Sequence, residues 1–400
     1  MQVHIFDPQL DASDGHYLEY DSAVAAELRR RGIRAFLLGS TRRTTTLSAP
    51  SDTKPVFTAE IFDQISHDRL IWALEDFDQI GSQFHKDLAT LGTDRFSARD
   101  IAFFPNLIQN QLGGIRAWIC GLPPEHRPIL VLKFSYLTHA MGYVRHRPNK
   151  ELIPLIFRFG IRSLLAAHPR TAICTDSEEI AGELKVISDS VVPILPLPLT
   201  IDEELAPHDR RALCVSYLGY PSSLKGFHLL PQIIAQFGKG PNSPHFLIQS
   251  YSDREGCSQI ENALEGLPNV TLIRGFVSRP TYNELLRRAD IVLMPYLREF
   301  YGWATSGIFA EALSAGKVVV VPEQTWMSRQ LASYRAGGTT FAVQDVNHIT
   351  AALRQALSNF GSLSQSASSA KTAWKAHHCP ASFVDRFLAL GSELAGRLES

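Results

Sequence analysis

The residues best suited to chemistry lie between 295 and 316, in the run PYLREFYGWATSGIFAEALSAG. A strand should end at Pro295, a loop should follow, and Thr305, Ser306 and Gly307 should open a helix that Gly316 closes. Backbone N–H groups at a helix start have no partner within the helix, and the helix dipole is positive there. Ser306 and Gly307 therefore offer a place for an anion such as a diphosphate. Glu311 lies one turn beyond Gly307 on the same face, where a carboxylate can accept hydrogen bonds from a ribose diol. The ordinary alternative is a helix capped by Thr or Ser, with Glu311 merely exposed.

A second constellation, YLGYPSSLKGF at 217–227, falls at a strand-to-helix turn. Gly219 allows backbone to approach a ligand, and Lys225 can reach a phosphate as a point charge. A lysine near a helix start is more often simply solvated. The order GxxxxGK[ST] is absent, and so is GxGxxG in either half, so neither a P-loop nor a dinucleotide fingerprint is present.

Weaker candidates are His16, which follows Gly15 in a loop after the first strand, and His139, which follows the strand at 129–134. Either can act as a base or touch an acceptor, although a chain with 14 histidines places most of them in ordinary surface or core positions. Asp176-Ser177 reads first as a helix N-cap. No HxxxH, HExxH or DxD pattern suggests a metal, and no GxSxG elbow suggests acyl transfer. The stretch 142–170 carries Arg145, Arg147, Lys150, Arg158, Arg162 and Arg170 against the single acid Glu151, interleaved with leucine, isoleucine and phenylalanine. Such a helix can lie on an anionic membrane; the alternative is a helix whose apolar face is core.

The elements that must position these residues alternate. Strands are expected at 3–6, 33–38, 101–104, 129–134 and 171–174, with a helix over 17–31 that Gly32 stops. Prolines 193, 196 and 198 and the polar, acidic stretch 200–211 then read as a linker. New strands follow at 212–218, 245–249, 270–273, 291–294 and 318–321, again separated by helical patterns. Residues 362–370, small and polar, read as a turn or loop before a last helix. This punctuation predicts two doubly wound α/β domains, with ligands held at the carboxyl ends of the strands in a cleft.

Composition bounds the possibilities. With 400 residues, two domains are expected; 45% hydrophobic and 20% charged residues exclude a mainly disordered chain. The net charge of −1 excludes a protein-wide basic field for nucleic acid. Five scattered cysteines without CxxC spacing point to reduced thiols. No apolar run is long enough to span a bilayer, and the N-terminal residues read as a strand instead of a signal peptide, so a cytoplasmic location is expected.

The ordered series from 212 to 321 resembles the second domain of GT-B glycosyltransferases of the retaining group 1, or family 4, type. It is carried by Leu218-Gly219 after a strand, Lys225-Gly226, Leu267-Pro268-Asn269-Val270, Gly275-Phe276-Val277, residues 285–290, Pro295, Glu311-Ala312-Leu313 and Gly316. The first half is similar more loosely, through a strand, the Gly15 loop, a helix ending in Leu28-Arg29-Arg30-Arg31-Gly32, and a second strand. The resemblance implies a GT-B fold of two Rossmann-like domains facing a central cleft: 1–198 on the acceptor side, 199–378 on the donor side, and 379–400 as a helix packing back on the first domain. It implies that Lys225 holds a donor diphosphate and Glu311 the nucleotide ribose, both as catalytic residues, while Phe276 and Val277 edge the base. Gly219, Tyr220, Tyr301, Thr305, Ser306 and Gly307 complete the donor side; Gly15, His16 and His139 face the acceptor.

Two positions depart from the family. Tyr220 stands where an arginine is usual, and Trp303 where a first glutamate is common; Tyr301 with Ser306-Gly307 looks like a family variant with a Tyr-x4-Ser-Gly loop. The expectation is a hexosyltransferase-type enzyme that moves a sugar from a nucleotide-sugar donor, with retention, to a glycan, a lipid-linked acceptor or a small molecule. It needs no metal or other cofactor, binds no nucleic acid, and touches the inner face of the membrane, if at all, through 142–170. The alternatives are a sugar-nucleotide epimerase of the same fold and a non-catalytic nucleotide-sugar-binding or scaffold protein.

Overall fold

The computed structural model describes residues 1–10, 15–41, 53–58, 74–137, 152–200, 212–238, 240, 243–250 and 257–396. The chain divides into two compact units, Met1–Thr200 together with His378–Ser400, and Ile201–His377. In the first, short apolar runs form β1 (Gln2–Phe6), β2 (Arg34–Ser40), β3 (Thr53–Phe57), β4 (Ile101–Phe104), β5 (Ile129–Lys133) and β6 (Thr171–Cys174), joined with α1 (Gly15–Arg30), α2 (Leu74–Ala89), α3 (Leu112–Gly121), α4 (Leu152–Ala167) and α5 (Glu178–Ser188). All strand pairs are parallel, in the order β3-β2-β1-β4-β5-β6. Ile5 pairs with Leu37 on one side and with Phe103 on the other. Strands β4 and β5 are buried along their whole length, as a parallel sheet covered on both faces requires.

The second unit repeats the plan. It contains β7 (Cys214–Tyr217), β8 (His245–Ser250), β9 (Val270–Arg274), β10 (Ile291–Leu293), β11 (Val318–Pro322) and β12 (Gly338–Phe341) in the order β12-β11-β10-β7-β8-β9. Its helices are α6 (Leu230–Ala235), α7 (Cys257–Glu265), α8 (Arg279–Arg288), α9 (Arg298–Tyr301), α10 (Gly307–Ser314), α11 (Trp326–Tyr334), α12 (Val346–Ser358) and α13 (Phe360–His377). Numbered within each unit, both sheets have the order 3-2-1-4-5-6 of a doubly wound fold. The chain then returns to the first unit as α14 (Pro380–Gly396), where Phe387 is buried with its ring 5.0 Å from that of Phe103.

The α/β sequence reading holds, with local corrections. Strands β3 and β12 were not anticipated; both are edge strands, one holding Pro55, which removes a ladder donor, and the other opening on Gly338. Residues 362–370 are not a turn but part of α13, because Ala367, Ala370 and Trp374 fall on its buried face. Gly15 and His16 are not in a loop: they form the first turn of α1, where backbone N–H groups need no helical partner. Among the described residues no helix is long and apolar enough to cross a membrane.

Candidate functional site

In the second sheet β7 and β10 are neighbours, and the connections that leave them run to opposite sides. The carboxyl ends of such a pair border a crevice suited to ligands. After β7 the chain turns at Gly219, with φ +94°; a Cβ there would lie 2.3 Å from Ile308 Cδ1 and 3.6 Å from Lys225 Nζ. Gly226, at φ +69°, passes so close to β10 that a Cβ would lie 2.2 Å from the Pro295 carbonyl oxygen. Glycine at both positions lets the turn carrying Lys225 sit directly against the end of β10.

Lys225 ends a single 3-10 turn whose cap, Ser222, accepts from the Lys225 backbone N–H. Part of its surface remains open. Its ammonium lies 5.7 Å from the centre of the Tyr296 ring. Burial alone lowers its pKa to about 8. No carboxylate among the described residues forms an ion pair with it. A desolvated cation without a counter-ion, facing a ring, is a place prepared for an anion.

Ser306 caps α10, its hydroxyl accepting from Phe309 N–H at 3.3 Å, so the N–H groups of Gly307 and Ile308 open the helix beside Gly219. Tyr296 is fully buried, and its phenol is pushed up by burial and by its neighbour Tyr217. Tyr301, also buried, sits with its ring 4.5 Å from that of Tyr296. Lys225, Gly219, Ser306, Gly307 and Tyr301 thus share one crevice. Thr305 and Tyr220 are half-buried beside it in sequence. Glu299, in the first turn of α9, is half-buried.

Glu311 is not the exposed residue of an ordinary capped helix. Its side chain is 13% exposed and accepts from Arg279 Nη1 at 2.6 Å. The Arg279 guanidinium lies 5.3 Å from the centre of the Tyr282 ring. Burial raises the Tyr282 phenol, and the neighbouring Glu311 charge raises it further. Phe276 stands exposed and Val277 half-buried in the turn between β9 and α8, a few residues before Arg279.

Sequence reasoning missed Arg279, Tyr282, Tyr217 and Gln249, and took no notice of Tyr296. Gln249, buried on β8, accepts from the Gly219 N–H at 3.0 Å, so that amide is already engaged. A helix-opening arginine directly after the cap Ser278 was the one signal available for Arg279, since a cation at that end of a helix needs an acidic partner.

The corresponding region of the first unit gathers buried charged groups that face one another. Asp7, just beyond β1, is fully buried and accepts from Gln9 N–H at 2.9 Å and from Asn106 Nδ2 at 2.8 Å. Burial raises its pKa to about 6 against the pull of these bonds. Asp21 on α1 is fully buried beside it, and burial and then the Asp7 charge raise its carboxyl well above the ordinary range. Lys133 Nζ pairs with Asp176 Oδ2 at 2.6 Å, both side chains 3% exposed, with Ser135 bonded to each and the Tyr20 ring 5.1 Å away. Asp176 is therefore an ion-pair partner and not the helix cap expected of it. Ser177 is the capping residue of α5, but its hydroxyl donates to Glu179. Beneath this pair, burial pushes the Cys174 thiol up to about 12.

Of the acceptor-side candidates, Gly15 and His16 open α1, and His139 lies outside the described residues. Of the basic stretch, residues 142–151 also lie outside them. Residues 152–167 form α4, whose Ile153, Phe157, Ile161 and Leu164 are buried, while Leu155 and Phe159 are 57% and 74% exposed. Arg170, beyond the helix, is buried and donates to the Ala98 and Arg127 carbonyl oxygens, so it is not part of a basic surface. Among the described residues no group of three or more His, Cys, Asp or Glu side chains is arranged to hold a metal ion.

Residues 209–359, which contain the whole of the second crevice, match the family of group 1 glycosyl transferases. This stretch is a group 1 glycosyltransferase domain. The chain that carries the glycosyltransferase domain is a transferase, and its α/β fold is GT-B. A comparison with curated proteins finds no match. Among solved structures, the chain is similar to sucrose-phosphate synthase from Thermosynechococcus elongatus, with a TM-score of 0.69 and 12% identity over 100% of this chain and 98% of that one. It is similar to the catalytic domain of starch synthase IV from Arabidopsis thaliana, bound to ADP and acarbose, with a TM-score of 0.66 and 10% identity over 98% and 99%. It is also similar to Anabaena HepE, in complex with UDP and glucose, with a TM-score of 0.63 and 13% identity over 100% of each chain. At these identities the likeness is one of fold.

Proposed function

We propose that the protein transfers a sugar, with retention, from a nucleotide-sugar donor bound in the crevice between β7 and β10. The observation that carries this reading is Lys225, a desolvated ammonium beside the opening turn of α10 with no carboxylate partner among the described residues. When the bond between sugar and diphosphate breaks, negative charge grows on the departing phosphate. Lys225 and the N–H groups at Ser306–Gly307 are already oriented to receive that charge, without rearrangement during the reaction. Glu311 accepts from the ribose hydroxyls, and Phe276 and Val277 edge the base. The acceptor is held by residues around Gly15, His16 and His139. The chemistry rests on positioning and phosphate stabilisation and requires no metal. The nucleotides named with the starch synthase and HepE structures, ADP and UDP, support a nucleotide donor. A peripheral contact with anionic lipid, through Leu155 and Phe159 beside Arg158 and Arg162 on α4, is part of the same proposal.

The test is incubation with radiolabelled UDP-, GDP-, ADP- and dTDP-sugars, with and without chelator. Release of nucleoside diphosphate with transfer or hydrolysis of the sugar, unaffected by chelator, is expected. Inversion of a sugar centre as the enzymatic product identifies an epimerase; binding without turnover identifies a scaffold. Loss of activity in chelator, restored by Mg or Mn, overturns the metal-free mechanism.

A further inference from the structure

Arg279 occupies an unfavourable position for a cation. It is the first residue of α8, after the cap Ser278 whose hydroxyl accepts from Thr281 N–H, and before Pro280. A helix N-terminus repels positive charge, so something must hold the guanidinium there. What holds it is Glu311 at 2.6 Å, with the Tyr282 ring at 5.3 Å on its face. The side chains are 29% and 13% exposed, so both charges have lost much of their water and each restrains the other. The clamp also joins two segments. Arg279 closes the turn that carries Phe276 and Val277, while Glu311 lies in the second turn of α10, four residues beyond Gly307. An unclamped glutamate explores several rotamers; this one is held in a single direction at the junction of the two segments.

We infer that Arg279 is a positioning residue for nucleoside recognition: it aims the Glu311 carboxylate at the ribose diol. This rests on the proposed function, since it concerns the same crevice. Arg279 acts through Glu311 and not on the diphosphate. Its loss therefore removes the enzyme's ability to sense the ribose hydroxyls, a more specific defect than weaker binding. Lysine cannot reproduce the planar fork, so it restores the effect in part.

The experiment is calorimetric titration of the full chain with the nucleoside diphosphate that the wild-type protein binds best and with its 2′,3′-dideoxy analogue, which keeps the base and both phosphates. A hydrogen-bonded diol should make the wild type prefer the ribonucleotide by at least about tenfold. In Arg279→Met that preference should collapse toward one, with the dideoxy analogue bound nearly as in the wild type; in Arg279→Lys it should be intermediate. A merely structural role weakens both ligands together and leaves the ratio unchanged, and that result overturns the inference. So does a wild-type ratio retained by Arg279→Met with unaltered affinities. If the wild-type protein binds no nucleoside diphosphate at all, the reading of the crevice itself fails and the inference falls with it. That failure is visible before any variant is made.

Discussion

The two units share one strand order and treat the same topological position in opposite ways. In the second, the crevice between β7 and β10 holds Lys225, a cation with no carboxylate partner among the described residues, and the buried phenols of Tyr217 and Tyr296. In the first, the buried charges lie against one another: Lys133 at the end of β5 is matched by Asp176, and Asp7 beyond β1 shares its surroundings with Asp21. Among the described residues one crevice lacks a counter-charge, which a ligand can bring; in the first unit the buried lysine already has one within the chain. Strand order locates a potential site in each unit; a buried cation without a carboxylate partner among the described residues is what marks the second.

The largest effect that can break this comparison is on stability. Lys133→Met strands the Asp176 carboxylate in the interior and should lower unfolding free energy by roughly 3–5 kcal/mol. Lys225→Met strands no carboxylate among the described residues and should match or exceed the wild type in urea denaturation at pH 7. Because burial lowers the Lys225 pKa to about 8, below its unfolded value of 10.5, the wild type gains stability as pH rises through that window and the gap to Lys225→Met narrows. Equal destabilisation by the two substitutions would erase the distinction. The same Lys225→Met protein should bind nucleoside diphosphate more weakly by roughly 1.5–3 kcal/mol, about ten- to a hundredfold, the worth of a bond to a charged group.

A smaller effect sharpens the picture of the buried carboxyls in the first unit. Asp21 and Asp7 both have folded pKa values above the ordinary 3.8, so the folded state keeps protons that the unfolded chain releases. Their contribution is fully present below that value and is lost as pH rises through about 6 and beyond. Asp21→Asn replaces the retained proton with an amide that does not titrate. Its unfolding free energy should fall less between pH 4 and pH 8 than that of the wild type. Parallel pH profiles for the two proteins would remove Asp21 from the account.

The smallest effect belongs to the outer surface of the first unit. Phe159→Ser should weaken sedimentation with anionic vesicles about fivefold, or ~1 kcal/mol, and leave neutral vesicles unaffected. Unchanged sedimentation would mean that α4 merely exposes apolar side chains.

Much of the scaffold was legible because buried parallel strands are written as short apolar runs; 101–104 and 171–174 coincide with β4 and β6. Edge strands with one exposed flank, such as β3 with Lys54 and Pro55 pointing outward, carry no such signature. Of the candidate site, the local parts could be read. The cap at Ser306, the turn at Lys225 and the helical offset of Glu311 are all set by neighbours within a few residues. What could not be read is pairing at a distance. Nothing near Glu311 announces Arg279, 32 residues earlier, and nothing near Asp176 announces Lys133, 43 residues earlier. Such partners are chosen by strand order, which the sequence encodes only collectively.

The return of α14 to the first unit has a consequence for synthesis. Residues 1–200 leave the ribosome first, yet the segment that covers Phe103 with Phe383 and Phe387 is translated only after all of 201–377. The second unit is one continuous stretch and can close as soon as it emerges. The first must wait with an apolar face uncovered, for about the time needed to add two hundred residues, ten to forty seconds at roughly 5–20 residues per second. The first unit is thus begun before the second and finished after it.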